Sequence, residues 1–169
     1  MHKDNKKVLG SLLGVAIGDA LGGPLEFMTA EEIQAQHGTV REMIGGGWLN
    51  LAPGEITDDT QMTLCVAEGI VKNPQYPFVE IGKKFVEWYD SNPKDIGNCC
   101  RAVIANAKSQ EYDALNCWLN SASLYHKQTG GAECRERRTH EGNIPGIVLW
   151  YRAFRKLASV KNVHAIKCQ

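Results

Sequence analysis

The sequence lacks the features that mark several large classes of protein. Its formal net charge is zero, so the composition gives no global sign of a nucleic-acid or membrane partner. No segment shows the sustained alternation of a β-strand, and no repeat or low-complexity tract is present. The 169 residues, 43% of them hydrophobic and 22% charged, are ordinary for one soluble globular domain. We therefore expect a globular protein that binds neither nucleic acid nor membrane.

The six cysteines lack the spacing of a metal site or a disulfide framework. They form no C-x-x-C pair and show no zinc-ligand spacing with the five histidines. Cys99 and Cys100 are adjacent on a predicted helix, where they point to different faces. The pattern favours reduced, buried thiols in a cytoplasmic protein.

The chain has few long hydrophobic runs, and the most prominent of them is at residues 8–18. Lys3, Lys6 and Lys7 precede this run, an arrangement that superficially suits a secretory signal. However, Asp19 closes the run, no clean small-residue cleavage site follows it, and it is too short to span a bilayer. We expect it to be a buried helix of the mature fold.

Apolar periodicity predicts helices through most of the chain, so the expected fold class is all-α. The predicted helices cover about residues 6–21, 29–37, 57–72, 78–89, 96–108 and 113–126. Thr29 and Glu32 match a capping box at the start of the second helix. The third helix is expected to carry five side chains inward: Met62, Leu64, Cys65, Ala67 and Ile70.

Four glycines recur at every fourth position of the first predicted helix and form one stripe: Gly10, Gly14, Gly18 and Gly22. Each interior glycine lowers helix stability by about 1 kcal/mol relative to alanine. This cost makes sense if a neighbouring helix or a ligand approaches the stripe closely. Both alternatives remain open for the first two glycines, whereas the two that flank Asp19 favour a ligand.

The segment Thr57-Asp58-Asp59-Thr60 places a hydroxyl and two carboxylates at a predicted helix start. Mg²⁺ prefers such hard oxygen ligands, and successive residues on a helix point about 100° apart, so the three could partly surround an ion. Simple helix capping by Thr57, with acids compensating the helix dipole, would produce the same pattern. Taken alone, the motif favours capping.

Three further features accompany this motif. Asp19 and Glu26 lie at the end of the glycine-striped helix. Residues 45–48 (GGGW) offer backbone amides and an aromatic ring suited to phosphate or nucleotide contact. Asp95 stands at the start of a later predicted helix. Each feature has a structural explanation of its own, but their combination and order favour a functional site.

Residues 8–105 resemble the N-terminal half of the ADP-ribosylglycohydrolase family, particularly the bacterial enzymes that act on dinitrogenase reductase. The resemblance lies in residues 10–26 (GSLLGVAIGDALGGPLE), 45–49 (GGGWL), 53–62 (PGEITDDTQM) and 95–98 (DIGN). It implies a multi-helical, all-α bundle, here truncated, and a site of two Mg²⁺ ions, with Mn²⁺ in some members.

The resemblance also implies roles for individual residues. Thr57, Asp58 and Asp59 would be metal ligands. Glu26, at the edge of the metal and substrate site, and Asp95, facing the substrate, would be the catalytic groups. The residues expected to bind the substrate are Gly46, Gly47, Trp48, Gly97 and Asn98.

The implied reaction is hydrolysis of the glycosidic bond that joins ADP-ribose to a side chain such as arginine. The partner would be an ADP-ribosylated protein or small molecule. One alternative is a non-catalytic module that binds ADP-ribose or a nucleotide. Others are a related hydrolase acting on another substrate, such as an ADP-ribosylated nucleobase, and a crystallin-like non-enzyme.

The chain changes character after residue 131. Residues 1–131 carry 11 Lys and Arg against 16 Asp and Glu, residues 132–169 carry 8 against 3, and no Asp follows Asp113. The family's second metal-binding stretch, Gly-Asp-x-Asp-Thr in character, is therefore absent, and activity should be impaired. A one-base shift of the implied codons lets residues 135–141 read as the family's Gly-Asn-Gly-x-x-Met-Arg segment. We interpret 132–169 as an atypical tail translated out of frame; natural divergence is the alternative.

Overall fold

The computed structural model describes residues 3–110, 117–118, 120–121 and 123–124. This part of the chain is helical and has no strand, so the all-α prediction is confirmed. Its α-helices are α1 (Lys3–Gly22), α2 (Ala30–Gln36), α3 (Asp58–Lys72), α4 (Pro77–Asp90) and α5 (Asn98–Lys108). A 3-10 turn, Gly23–Leu25, follows α1 directly.

The chain divides into two compact units. The first contains Met1–Cys65 and Asn92–Asp95, and the second contains Val66–Ser91 and Ile96–Gln169. Helix α3 begins in the first unit and ends in the second. Most of the helix expected at 113–126, and the whole of the tail at 132–169, lie outside the described residues, so the predicted boundary at residue 131 stays a prediction.

Helix α1 is exposed along most of its length, which contradicts the expectation of a buried helix. Its large apolar side chains are between 39% and 61% exposed: Val8, Leu9, Leu13, Val15 and Ile17. Apart from the adjoining residues and the backbone of α1 itself, no described atom lies within 4 Å of the positions that Cβ atoms would take on the four striped glycines. The expected close approach to the stripe is therefore missing from the described part of the chain. An apolar run specifies a helix but not the element that covers it.

Helix α1 is also longer than the run of residues 8–18 that suggested it. The stretch Lys6–Leu25 meets the length and composition of a membrane-crossing helix, so the run's length does not exclude a span. Core helices of soluble proteins and signal sequences meet the same criterion.

The core of the second unit lies on α4 and α5. Pro77, at the first turn of α4, suits a position where the backbone amide has no helical partner. The apolar residues of each helix are gathered on one face, which buries Ile81, Phe85 and Val86 on α4 and Val103, Ile104 and Ala107 on α5. Trp118 packs against Phe85 at 6.2 Å between ring centroids, in an edge-to-face arrangement.

Helix α3 buries fewer of its apolar side chains than the sequence suggests. Met62 and Cys65 are buried, but Leu64 and Ile70 are more than 40% exposed, so the prediction that they point inward is wrong. At 100° per residue, Met62, Cys65 and Gly69 fall on one side of the helix, and Leu64 and Ile70 fall away from it. A Cβ on Gly69 would stand 2.6 Å from the Ile81 backbone nitrogen, so the missing side chain lets α4 pack closely.

The connection between α1 and α3 contains a short capped helix, α2. The Glu32 amide donates to Thr29 Oγ1 and the Thr29 amide donates to Glu32 Oε2, which confirms the capping box. Gly38, with φ of 61°, follows the helix and allows the chain to turn away. Residues 39–57 then form the loops that carry several of the predicted site residues.

Candidate functional site

Asp19, in the last turn of α1, binds the start of α3. Its Oδ2 accepts the backbone amides of Thr57 at 2.9 Å and Thr60 at 3.2 Å. The hydroxyls of both threonines also donate to this carboxylate, Thr57 Oγ1 to Oδ1 at 2.6 Å and Thr60 Oγ1 to Oδ2. Both threonines are buried, at 8% and 4% exposure. A carboxylate 38 residues upstream therefore caps the helix.

This arrangement differs from the simplest form of capping by Thr57. A threonine that caps a helix accepts an amide hydrogen two or three residues later with its side-chain oxygen. Here Asp19 accepts the Thr60 amide, and the Thr57 hydroxyl donates its own hydrogen to Asp19. The bond to Asp19 uses the hydrogen of the Thr57 hydroxyl and none of its lone pairs.

Asp58 and Asp59 occupy the first two positions of α3, where the helix dipole favours negative charge. Asp58 is half-buried and Asp59 is exposed. Within the described residues, no three His, Cys, Asp or Glu side chains are arranged to hold a metal ion. The Thr57 hydroxyl and the two carboxylates are hard oxygen donors of the kind that Mg²⁺ takes, but they are too few for octahedral coordination without water or further ligands. The metal-ligand assignment stays a prediction.

The GGGW segment forms a tight turn. The Gly46 amide donates to Leu51 O at 2.7 Å, and the Leu51 amide donates to Gly46 O at 2.8 Å. The expectation that this segment offers its backbone amides to a ligand is therefore wrong for Gly46, whose N–H is used within the turn. Gly47 has a packing requirement, because a Cβ there would stand 2.6 Å from Pro24 O. The role of both glycines in substrate binding stays a prediction.

The turn also brings Trp48 to Glu26. The indole Nε1 donates to Glu26 Oε2 at 3.0 Å, and the Trp48 ring meets the Phe27 ring edge-to-face at 5.5 Å between centroids. Phe27 is highly exposed, and its backbone has a positive φ of 66°, a conformation that residues other than glycine rarely adopt. Two predicted site residues, Glu26 and Trp48, are therefore in direct contact.

A lysine fastens the loop that precedes the Thr57 motif. Lys94 Nζ donates to Glu55 Oε1 and Oε2 at 2.9 and 3.0 Å and to Asn50 O at 3.3 Å. Glu55 Oε2 also accepts the Ala52 amide at 2.7 Å. That backbone hydrogen bond, followed by the hydrogen bond from Lys94, holds the pKa of the Glu55 carboxyl below its ordinary value. The loop is thus attached to the residue immediately before Asp95.

The remaining predicted residues fall on either side of the division between the two units. Asp95 is half-buried in the first unit, whereas Gly97 and Asn98 belong to the second. Helix α5 starts at Asn98 with Gly97 as its N-cap residue, so Asp95 does not open a helix as expected. The described contacts therefore bring together Asp19 with Thr57 and Glu26 with Trp48, all within the first unit.

Two residues of this region were not among the predicted ligands or catalytic groups. Thr60 shares the Asp19 carboxylate with Thr57, and Phe27 lies against Trp48. The repeat of threonine three positions after Thr57 could have indicated the first, because i and i+3 side chains neighbour each other on a helix. No sequence signal indicates the second, since its backbone conformation is not encoded by a glycine or asparagine.

Comparison with known proteins adds to this geometry. The family model described as ADP-ribosylglycohydrolase matches residues 1–151. The chain belongs to the ADP-ribosylglycohydrolase family. The match includes the whole candidate site and extends into the region beyond residue 131.

Individual relatives of this ADP-ribosylglycohydrolase-family chain match part of it. It is 47% identical over 98 residues to an ADP-ribosyl-[dinitrogen reductase] glycohydrolase of Rhodospirillum rubrum, over 58% of this chain and 33% of that protein. It is 41% identical over 105 residues to an ADP-ribosylarginine hydrolase of Serratia proteamaculans, over 58% of this chain and 27% of that protein. The chain thus spans about a third of the length of these curated relatives.

Proposed function

We propose that this chain is the N-terminal portion of a Mg²⁺-dependent hydrolase that releases ADP-ribose from an arginine side chain. Membership of the family supports the general chemistry. The names of two relatives, an ADP-ribosyl-[dinitrogen reductase] glycohydrolase and an ADP-ribosylarginine hydrolase, support the substrate class. The partner would be an ADP-ribosylated protein or small molecule.

The observation that carries the metal part of the proposal is the direction of the Thr57 hydroxyl. Its hydrogen is donated to Asp19, so this bond occupies none of the lone pairs that a threonine ligand would offer a cation. Asp58 and Asp59 follow in the first turn of α3 and would supply the negative charge of the site. A bound Mg²⁺ would position water and polarise the ribose oxygens.

Two contacts suggest how Glu26 and the GGGW turn take part. The Trp48 indole restricts the rotation of the Glu26 carboxylate by donating to Oε2. Gly47 lies against the backbone of Pro24, two residues before Glu26. The position of the turn is therefore tied to the backbone that carries the Glu26 carboxylate. In the proposal, Gly46, Gly47 and Trp48 line the ADP-ribose cleft and Glu26 lies at its edge. The substrate-binding roles of Gly97 and Asn98 stay predictions of the family resemblance.

The proposed reaction breaks the bond between the ribose anomeric carbon and a guanidinium nitrogen. Water adds to that carbon, and the departing nitrogen takes up a proton, so free ADP-ribose and an unmodified arginine result. Positive charge develops on the ribose in an oxocarbenium-like transition state, which nearby carboxylates stabilise. Glu26 and Asp95 are the proposed groups for proton transfer.

The test is titration of the 169-residue chain with ADP-ribose, with and without Mg²⁺, followed by calorimetry. We expect weak binding that strengthens when Mg²⁺ is added, because the ligands present form only part of an octahedral set. Asp58→Asn combined with Asp59→Asn should remove the Mg²⁺ dependence. Glu31→Gln, at an exposed acid in the first turn of α2, is the matched control and should retain it.

The same titration separates the proposal from the alternatives. Tight ADP-ribose binding that is independent of Mg²⁺ would indicate a non-catalytic binding module. Incubation with an ADP-ribosylated arginine peptide adds a second measurement, in which we expect little or no release of ADP-ribose by this chain. Rapid release would contradict the expected impairment while supporting the substrate class.

A further inference from the structure

The two oxygens of the Asp19 carboxylate accept hydrogen bonds from different groups. Oδ2 accepts three hydrogens, from the Thr57 amide, the Thr60 amide and the Thr60 hydroxyl. Oδ1 accepts the hydrogen of the Thr57 hydroxyl at 2.6 Å. One oxygen thus holds the helix start, and the other decides where the Thr57 hydroxyl hydrogen points.

We propose that Asp19 is a positioning residue that orients the Thr57 hydroxyl for metal binding. A hydroxyl has one hydrogen and two lone pairs, so a neighbour that accepts the hydrogen directs the lone pairs elsewhere. Because Asp19 is a carboxylate, it can only accept hydrogen bonds. The Thr57 hydroxyl must therefore be the donor in the bond between them. This inference rests on the proposed function for the identity of the ion, Mg²⁺.

Asparagine at position 19 would reverse this hydrogen bond while keeping the shape of the side chain. Its carbonyl oxygen should take the Oδ2 position, because three donors converge there. Its NH₂ group would then face Thr57 Oγ1 at the place of Oδ1, and the hydroxyl would have to accept. One lone pair of Thr57 would be used, and its hydrogen would point towards the region where a cation should bind.

The experiment measures Mg²⁺ affinity and stability separately on the 169-residue chain. Mg²⁺ is titrated into ¹⁵N-labelled protein while the amide signals of Asp58 and Asp59 are followed by NMR. The free energy of unfolding is measured by denaturant titration in metal-free buffer. We expect Asp19→Asn to weaken Mg²⁺ binding about tenfold or more.

Thr60→Val supplies the matched control. It removes a hydroxyl that donates to the same carboxylate, but Thr60 is not a proposed metal ligand. We expect it to destabilise the chain and to leave Mg²⁺ affinity within about twofold of the wild type. If it weakens Mg²⁺ binding as much as Asp19→Asn, Asp19 acts through the general stability of the helix start, and the inference is overturned.

A double-mutant cycle distinguishes hydroxyl orientation from loss of negative charge. In a Thr57→Val background there is no hydroxyl to orient, so Asp19→Asn should cost little or no additional Mg²⁺ affinity. An equal loss in both backgrounds would mean that Asp19 acts through its charge, and this also overturns the inference. A wild-type chain that binds no Mg²⁺ would defeat the proposed metal function itself, whereas wild-type binding that Asp19→Asn leaves unchanged defeats only the positioning role.

The wild-type chain provides a further measurement if Asp19→Asn does not fold. A hydroxyl hydrogen held by a carboxylate in a buried position should exchange slowly with water and give its own NMR signal. We expect this signal for Thr57, and we expect it to persist when Mg²⁺ is added. A Thr57 hydroxyl that exchanges at the rate of a free hydroxyl would contradict the inference.

Discussion

Helices α1 and α4 have similar apolar content, but their surroundings differ. Helix α4 gathers its apolar side chains on one face and buries Ile81, Phe85 and Val86. Helix α1 distributes them around its axis and leaves Leu13 half exposed. The comparison shows that the arrangement of apolar residues, rather than their number, decides which helix contributes to a core.

The two helices are also attached to their own units by different forces. Helix α4 is held along its length by apolar packing. Helix α1 is held at its last turn, where Ala20 is buried and Asp19 accepts four hydrogen bonds from Thr57 and Thr60. The exposed helix thus makes its main described contact at the candidate site. Substitutions on α1 and α4 should therefore have contrasting effects.

The largest contrast is expected for truncation of one large side chain on each helix. Phe85→Ala removes a ring that is 7% exposed, so it should lower the free energy of unfolding by about 3–5 kcal/mol. Leu13→Ala removes a side chain that is already 50% exposed, and it should change that free energy by less than about 0.5 kcal/mol. Denaturant unfolding of both variants checks the pair, and equal losses would show that α1 is covered in solution.

A smaller contrast is expected when two helical glycines are replaced by alanine, because one substitution should destabilise the chain and the other should stabilise it. In Gly69→Ala the new methyl would stand 2.6 Å from the Ile81 backbone nitrogen, which should destabilise the chain by about 1–3 kcal/mol. In Gly14→Ala the methyl meets no described atom within 4 Å outside the backbone of α1 and the adjoining residues, so better helix propensity should stabilise the chain by about 0.5–1 kcal/mol. Thermal unfolding followed by circular dichroism measures both changes. A destabilised Gly14→Ala variant would reveal a close neighbour of the stripe.

The same contrast explains which parts of the fold the sequence could predict. Local sequence signals place helices well, because they belong to the segment that forms the helix. The helix predicted at 78–89 is one residue longer at each end in the structure, where it spans Pro77–Asp90. Burial is a property of the neighbours, so the residues 8–18 run predicted a helix correctly and its burial wrongly. The predicted burial of Leu64 and Ile70 was wrong for the same reason. Apolar residues lie on several faces of α3, and the sequence does not show which face is covered.

The candidate site was predictable as a set of residues but not as a set of contacts. The Thr57-Asp58-Asp59 segment is at the start of a helix, as expected. The direction of the Thr57 hydroxyl depends on Asp19, 38 positions upstream, and no local rule connects the two. The contact between Glu26 and Trp48 is similarly non-local. The roles proposed for these residues in metal binding and catalysis remain predictions, and the experiments on Mg²⁺ and ADP-ribose test them.

The smallest expected effect concerns another polar attachment of the first unit, between Lys94 and Glu55. The Ala52 amide and Lys94 together hold the pKa of the Glu55 carboxyl below its ordinary value. Lys94→Met should raise this pKa only part of the way, because the Ala52 hydrogen bond, the larger cause, remains. Titration of the Glu55 side-chain carbon by NMR measures the shift. Lys108→Met, which removes a pair with Asp90 in the second unit, is the control and should leave Glu55 unchanged.

The sign of the accompanying pH dependence follows from the lowered pKa. A carboxyl whose pKa is lower in the folded chain than in the unfolded chain contributes stability above its ordinary pKa, and this contribution is lost as the pH falls through the folded value. Wild-type and Lys94→Met chains should therefore differ most at neutral pH and converge in acid. Because the pair is solvent-accessible, added salt should reduce the difference. A difference that stays constant as the pH falls would show that Lys94 holds the loop through its bond to Asn50 O rather than through Glu55.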